Sequence, residues 1–200
     1  MFAMSDTRLF LQQFLRAPTA VGAIAPSSVA LARQITAGVP VAGEPVILEL
    51  GPGTGVFTAQ IQRRLGGRGR HVAVEVNPAL AGLLRERYPA AEVVEADAGD
   101  AASILAERGI DGVDVVVSGL PWSVFPAELQ ERILDAVGTV LRPTGHFVTF
   151  NYLQASVLPP ALAFRRRLAE RFAEVSTSAT VWRNLPPARI LTGRQPRTRS

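Results

Sequence analysis

The chain has no cysteine, which excludes a disulfide framework and thiolate metal sites. Its two histidines, His71 and His146, lie far apart, and no metal site is expected from them. Lysine is missing too: all 21 basic residues are arginine. That removes the lysine a phosphate-cradling loop requires and leaves planar forks suited to phosphate and carboxylate. No apolar run reaches the roughly 18 residues needed to span a bilayer. The N-terminus has no basic leader and meets Asp6 and Arg8 early, which predicts no secretory signal. A reducing cytoplasm is the expected setting.

What remains is a globular composition, 48% hydrophobic and 19% charged over 200 residues. That predicts one folded unit with a substantial core. The net charge of +4 and pI near 10.8 leave two readings open: an anionic partner, lipid headgroup or nucleic acid, or solubility alone.

Ser5 and Asp6 can cap a helix running to Arg16. Phe10, Leu11, Phe14 and Leu15 fall on one arc of it, with polar residues opposite. Residues 17–26 read as an irregular linker, and Ser27 and Ser28 cap a second helix to about Thr36. From Val46 onward, strand and helix alternate. Strands are expected at 46–50, 71–76, 92–95, 113–117 and 146–150, and helices at about 56–65, 78–88, 101–108 and 129–141. A helix after Pro160 carries the stripe Phe164, Leu168, Phe172 and Val175, and residues 176–195 read as two strands broken at Asn184-Leu-Pro-Pro187. This order predicts a mostly parallel α/β sheet of seven strands, helices on both faces, closed by an antiparallel C-terminal hairpin. The expected division is an N-terminal helical segment at 1–36, the main domain at 37–195 and a flexible tail at 196–200.

The chemistry gathers at strand ends, where open α/β sheets bind ligands. Residues 49–55 read Glu-Leu-Gly-Pro-Gly-Thr-Gly directly after the first strand. The three glycines Gly51, Gly53 and Gly55 mark a sharp turn with bare backbone against a ligand. Glu75 closes the second strand, about 20 residues on, where an acid accepts from ribose hydroxyls. Asn77 follows it. Asp97, with Ala98 after it, closes the third strand and suits an adenine amino group. Ser118-Gly119-Leu120-Pro121-Trp122 follows the fourth. A nicotinamide fingerprint needs Gly-x-Gly-x-x-Gly, but here the third glycine comes one residue early and Pro52 removes a backbone donor. A cofactor without phosphates suits this loop better, and S-adenosylmethionine is the best candidate.

The glycine loop, Glu75, Asp97 and the post-strand-four motif together resemble the ordered motifs of class I S-adenosylmethionine-dependent methyltransferases, with their Rossmann-like fold. Two related families within that class are similar. Ribosomal RNA adenine dimethylases carry Asn-Leu-Pro-Tyr after strand four. Bacterial phospholipid N-methyltransferases resemble the chain in Ser-Gly-Leu-Pro, in the upstream Gly-Ala-Ile-Ala-Pro-Ser-Ser of residues 22–28 and in the late Asn-Leu-Pro-Pro-Ala of residues 184–188. The resemblance implies S-adenosylmethionine as cofactor, with Glu49, Gly51, Gly53, Gly55, Glu75, Asn77, Asp97, Ala98 and Ser118 around it. It implies phosphatidylethanolamine, or its mono- and dimethyl forms, as acceptor.

On that reading Ser118, Gly119, Leu120, Pro121 and Tyr152 serve catalysis by holding the amine about 3–3.5 Å from the methyl carbon. Trp122 either stacks on a methylated cationic amine or packs beneath the loop. Ser28, Arg165 and Arg166 are further substrate candidates; the arginines bind lipid phosphate or form a solvated helix face. The proton of the ammonium passes to water, Glu49 or Tyr152. Phe10, Leu11, Phe14 and Leu15 would rest on an anionic membrane surface, or cover the domain as a lid, with the enzyme at the inner face of the membrane. A small-molecule methyltransferase is a further alternative, and two rival classes stand beside this one. An RNA adenine methyltransferase is disfavoured by Ser118 and by the roughly 50 residues that follow strand five. A non-catalytic membrane-binding module would use the basic surface alone.

Overall fold

The computed structural model describes residues 27–197. The expected helix at 5–16, with Phe10, Leu11, Phe14 and Leu15, the linker at 17–26 and the last three residues of the tail lie outside them.

Among the described residues, six α-helices and seven strands follow one another. Helix α1 (Val29–Ile35) is capped by Ser28, whose Oγ accepts from the Leu31 N–H at 3.1 Å. Strand β1 (Val46–Leu50) is buried at all five positions, as a central parallel strand covered on both faces must be. After the glycine loop come α2 (Val56–Leu65), β2 (Arg70–Glu75) and α3 (Pro78–Arg87). Asn77 caps α3 with its Oδ1 on the Ala79 and Leu80 N–H groups, and Pro78 sits in the first turn, where its missing N–H costs nothing. Then β3 (Glu92–Glu95), α4 (Ala101–Ala106), β4 (Val113–Ser118), α5 (Ala127–Val140) and β5 (Leu141–Tyr152) complete the parallel part. Helix α6 (Pro159–Arg171) leads into β6 (Phe172–Thr177) and β7 (Ala188–Pro196).

The strand order is β3-β2-β1-β4-β5-β7-β6. β1 to β5 are parallel, and β7 runs antiparallel between β5 and β6. This is the predicted fold. Alternate strand residues feed two cores: Leu48, Val116 and Phe147 point to the α4, α5 and α6 side, Ile47, Val115 and Val148 to the α1 and α2 side. Each fully buried aliphatic or aromatic side chain contributes about 1.5–3 kcal/mol.

Two boundaries differ from the expectation. The stripe Phe164, Leu168, Phe172 and Val175 does not lie on one helix. α6 ends at Arg171, and Phe172 and Val175 belong to β6, because residues 172–177 pair with the far edge of β7. Helical spacing carried on past the point where the sheet claimed the chain. β5 starts at Leu141, absorbing the Pro143-Thr144-Gly145 read as a turn, at the expense of a register shift against β4.

Phe164 is fully buried and stacks on Trp122, ring centroids 4.7 Å apart. Phe164→Ala is expected to destabilise the fold by about 3–5 kcal/mol. The readout is a lower urea midpoint with an unchanged slope.

Candidate active site

The sheet order reverses between β1 and β4, and there the two loops that leave these strands touch. The Gly119 N–H donates to the Leu50 carbonyl at 2.8 Å, and the Gly51 N–H to the Val74 carbonyl at 3.0 Å. A Cβ on Gly119 would stand 2.5 Å from the Gly51 carbonyl oxygen, so only glycine fits. Gly51, Gly53 and Gly55 all have positive φ, at 67°, 57° and 88°. That backbone is open to glycine and strained for other residues. Above the loops opens a cavity of about 850 Å³.

One half of the cavity is polar. Glu75 is 5% exposed. Its Oε2 accepts from the Gly53 N–H at 3.1 Å and its Oε1 from the Asn77 N–H at 2.9 Å. Burial pushes its carboxyl above the ordinary value of 4.5, against the pull of those two backbone donors. Each oxygen keeps lone pairs for a diol. Asp97 accepts at Oδ1 from the Gly99 N–H (2.8 Å) and from Arg132 (2.7 Å). Its Oδ2 is buried and has no hydrogen-bond partner among the described residues. A buried carboxylate oxygen left unpaired costs about 1–3 kcal/mol or more, and an amino group on a bound base would satisfy it. Gly51, Gly53, Asn77 and Ala98 border the same space.

The other half is apolar, walled by Leu120, Val124, Phe150, Leu158 and Ala161, with Gly119, Pro121 and Tyr152 at its edge. Burial also raises the Tyr152 hydroxyl pKa, so that group stays neutral. Asn151 was not expected here. It is 9% exposed, borders the cavity, and its side chain has no hydrogen-bond partner among the described residues. The signal was a polar residue at a strand end, but the predicted strand stopped at Phe150. Among the described residues lining the cavity, Glu75 and Asp97 are the acids, and neither an arginine nor a histidine appears.

Several expected site residues sit elsewhere. Glu49 is fully buried and outside the lining. Its Oε2 accepts from the Thr58 hydroxyl at 2.8 Å and faces His71 Nε2 at 3.1 Å, with Gln62 behind the ring. β1 turns it under α2, so it braces the loop from below. Gly55 is also outside; a Cβ there would strike Tyr88 at 2.5 Å. Ser118 is buried too, its Oγ accepting from Trp122 Nε1 at 3.0 Å and the Leu120 N–H at 3.3 Å. The hydroxyl is spent on holding the loop. Matched by Leu120-Pro121, the residue at the dimethylase asparagine is Gly119, not Ser118.

Trp122 is 1% exposed, covered by Phe164 on one face and edged by Phe147 at 5.8 Å. It borders the cavity, but its ring is almost wholly buried and packs beneath the loop rather than standing open to a cation. Ser28 caps α1, and its neighbour Ser27 borders the cavity instead. Arg165 and Arg166 are exposed on α6, away from the lining. No group of three or more metal-ligating side chains occurs among the described residues.

Residues 47–145 match the methyltransferase domain family. The chain is 40% identical to an ornithine lipid N-methyltransferase of Singulisphaera acidiphila, over 92% of this chain and 94% of that protein. It is 36% identical to a probable ribosomal RNA small subunit methyltransferase A of Methanosarcina mazei, over 50% of this chain but 34% of that protein. Among solved structures, an O-methyltransferase from Bacillus cereus in complex with SAH superposes with a TM-score of 0.64 at 16% identity, covering 97% of this chain and 91% of that one.

The cavity fits S-adenosylmethionine: a phosphate-free loop, a carboxylate for the ribose and an orphaned carboxylate oxygen for the adenine. Glu75→Gln removes the charged acceptor and is expected to weaken cofactor binding about tenfold to a hundredfold by calorimetry. In the wild type, affinity should fall on acidification as the ionised form is lost, starting above the usual carboxylate range. The Gln variant should lose that dependence. With a relative 40% identical along nearly its whole length, this chain belongs to the class I S-adenosylmethionine-dependent methyltransferases.

Proposed function

We propose that this enzyme methylates the amine of a membrane-lipid headgroup. The observation that carries the reading is the cavity's second half: apolar walls, an Asn151 amide without a partner among the described residues, and no cation among the described lining residues to repel an ammonium. Similarity to a lipid N-methyltransferase over 94% of its length supports it. The acceptor chemistry is an alkylamine on an amphiphile. An ornithine headgroup and phosphatidylethanolamine, with its mono- and dimethyl forms, both present it.

When bound, S-adenosylmethionine supplies an electrophilic sulfonium methyl. The chain's residues do the rest. Glu75 and Asp97 hold the cofactor's adenosine portion, and the glycine loop lets it lie on bare backbone. Asn151 Oδ1 and the backbone carbonyls of residues 119–121 accept hydrogen bonds from the entering amine and aim its lone pair, which is positioning catalysis. Leu120, Phe150 and Leu158 exclude water around it. Among the described residues lining the cavity, none is placed to take the proton. Glu49 is sealed below the loop, Tyr152 stays neutral, and Glu75 and Asp97 face the cofactor. The amine therefore reacts from its free-base fraction, and the proton is lost to solvent. No helix among the described residues is long and apolar enough to cross a membrane; on this reading the lipid is met from the membrane surface, at the inner face.

The decisive assay offers mixed micelles of ornithine lipid, phosphatidylethanolamine or ribosomal RNA with labelled cofactor. Label in either lipid is expected; label in RNA alone would sink the reading. Asn151→Ala is expected to lower kcat about tenfold to a hundredfold while cofactor affinity holds. Below the acceptor amine's own pKa, kcat/KM should climb about tenfold per pH unit. A plateau set instead by an enzyme group would reveal a base that this geometry lacks.

A further inference from the structure

We infer that the loop between β6 and β7, with Trp182 and Leu185 at its crest, is a docking face for an anionic lipid bilayer, set at the mouth of the catalytic cavity. This rests on the lipid-acceptor reading.

Trp182 is 72% and Leu185 79% exposed. Large apolar side chains that stand out this far, grouped at one edge, mark an interaction site. The loop is not a loose excursion. Val181 and Ala188 close its base through a backbone bond of 2.7 Å. Between the two crest residues, Asn184 is buried; its Oδ1 accepts from the Ser28 N–H at 2.8 Å and its Nδ2 donates to the Pro186 carbonyl at 2.6 Å. The Asn-Leu-Pro-Pro-Ala motif thus turns one residue inward as a tether and pushes its neighbours out.

The loop is also joined to the rim of the cavity. The Leu153 N–H donates to the Pro187 carbonyl at 2.7 Å, directly after Tyr152, and Ser28 follows the lining residue Ser27. Ala188, where the loop ends, pairs with Tyr152 at the carboxyl edge of the sheet. Val157 and Leu158 are exposed just beyond the same rim, and Leu158 lines the cavity.

Charge selects the partner. Arg183 lies between Trp182 and Leu185 and is exposed, as is Arg189. Aromatic and aliphatic side chains interleaved with arginine suit the headgroup zone of an anionic leaflet, where the rings sit at the interface and the guanidinium groups reach phosphates. Seated so, the cavity mouth opens toward lipid headgroups, and an amine enters without its acyl chains leaving the bilayer.

The test uses the full chain and vesicles of phosphatidylglycerol and phosphatidylcholine, which offer no free amine to methylate. Trp182→Ser with Leu185→Ser alters two exposed positions and should leave folding intact by circular dichroism. Vesicle affinity is expected to fall about tenfold or more. Brominated acyl chains should quench wild-type fluorescence and fail to quench Trp182→Phe, since Trp122 is buried. On acceptor lipid dispersed in detergent the double variant should keep its turnover, and on bilayers lose it. Equal vesicle binding by both proteins, or wild-type binding without quenching, would place docking on residues 1–26 or elsewhere and overturn the inference. Loss of vesicle binding in the variant, with no methyl transfer to either lipid by the wild type, would keep this face and reject the acceptor instead.

Discussion

The backbone contact between the loops after β1 and β4 is the constraint on which the site depends. Strand order reverses at this point, so the helices that follow the two strands leave toward opposite faces of the sheet and open a crevice. The crevice is useful only if its floor is thin. Gly51 and Gly119 make it so, one by a positive φ and the other by leaving room for the Gly51 carbonyl. Around that contact the chain spends its buried polar groups on stiffness. Glu49 is gripped by Thr58 and His71, Ser118 by Trp122, and Thr149 donates to the Ser118 carbonyl at 3.1 Å. Buried hydrogen-bonded groups of this kind fix a conformation as much as they stabilise it.

The division of labour in the cavity follows from charge. A sulfonium cofactor and an amine acceptor are both cationic or close to it, and the described lining residues supply two carboxylates and no arginine. The described arginines are placed outside the lining. Arg132 neutralises one side of Asp97, Arg167 and Arg171 bridge α6 to α5, and Arg183 and Arg189 face solvent. A strongly basic protein thereby keeps an acidic interior site and a basic exterior.

Much of this was legible in the residues themselves. Turn glycines, acids at strand ends and alternating periodicities are local signals, and they placed the sheet, the cofactor loop, Glu75 and Asp97. The side-chain assignments of Glu49, Ser118, Trp122 and Ser28 were not legible. Ser28 and Ser118 each sit beside a residue that does border the cavity, since a strand or turn sends neighbours in opposite directions, whereas Glu49 points under α2 and the Trp122 ring packs on Phe164. One residue of register separates Ser28 from Ser27, and Ser118 from Gly119. Asn151 was missed for the same reason, since its strand runs two residues further than its apolar pattern.

Sequence alone determined the kind of cofactor, because a loop of Gly-Pro-Gly-Thr-Gly without lysine constrains backbone shape and phosphate binding wherever it folds. It determined the sheet class, mostly parallel with a closing antiparallel hairpin, from the alternation of strand and helix periods, which is also local. Only the tertiary structure decided which polar groups are spent inside the scaffold and which stay open to a ligand, because burial and partner choice depend on residues distant in the chain. Trp122 turned from ligand candidate to buttress when Phe164, 42 positions later, took its face. Asn184 became a tether when the Ser28 N–H, 156 positions earlier, came within 2.8 Å.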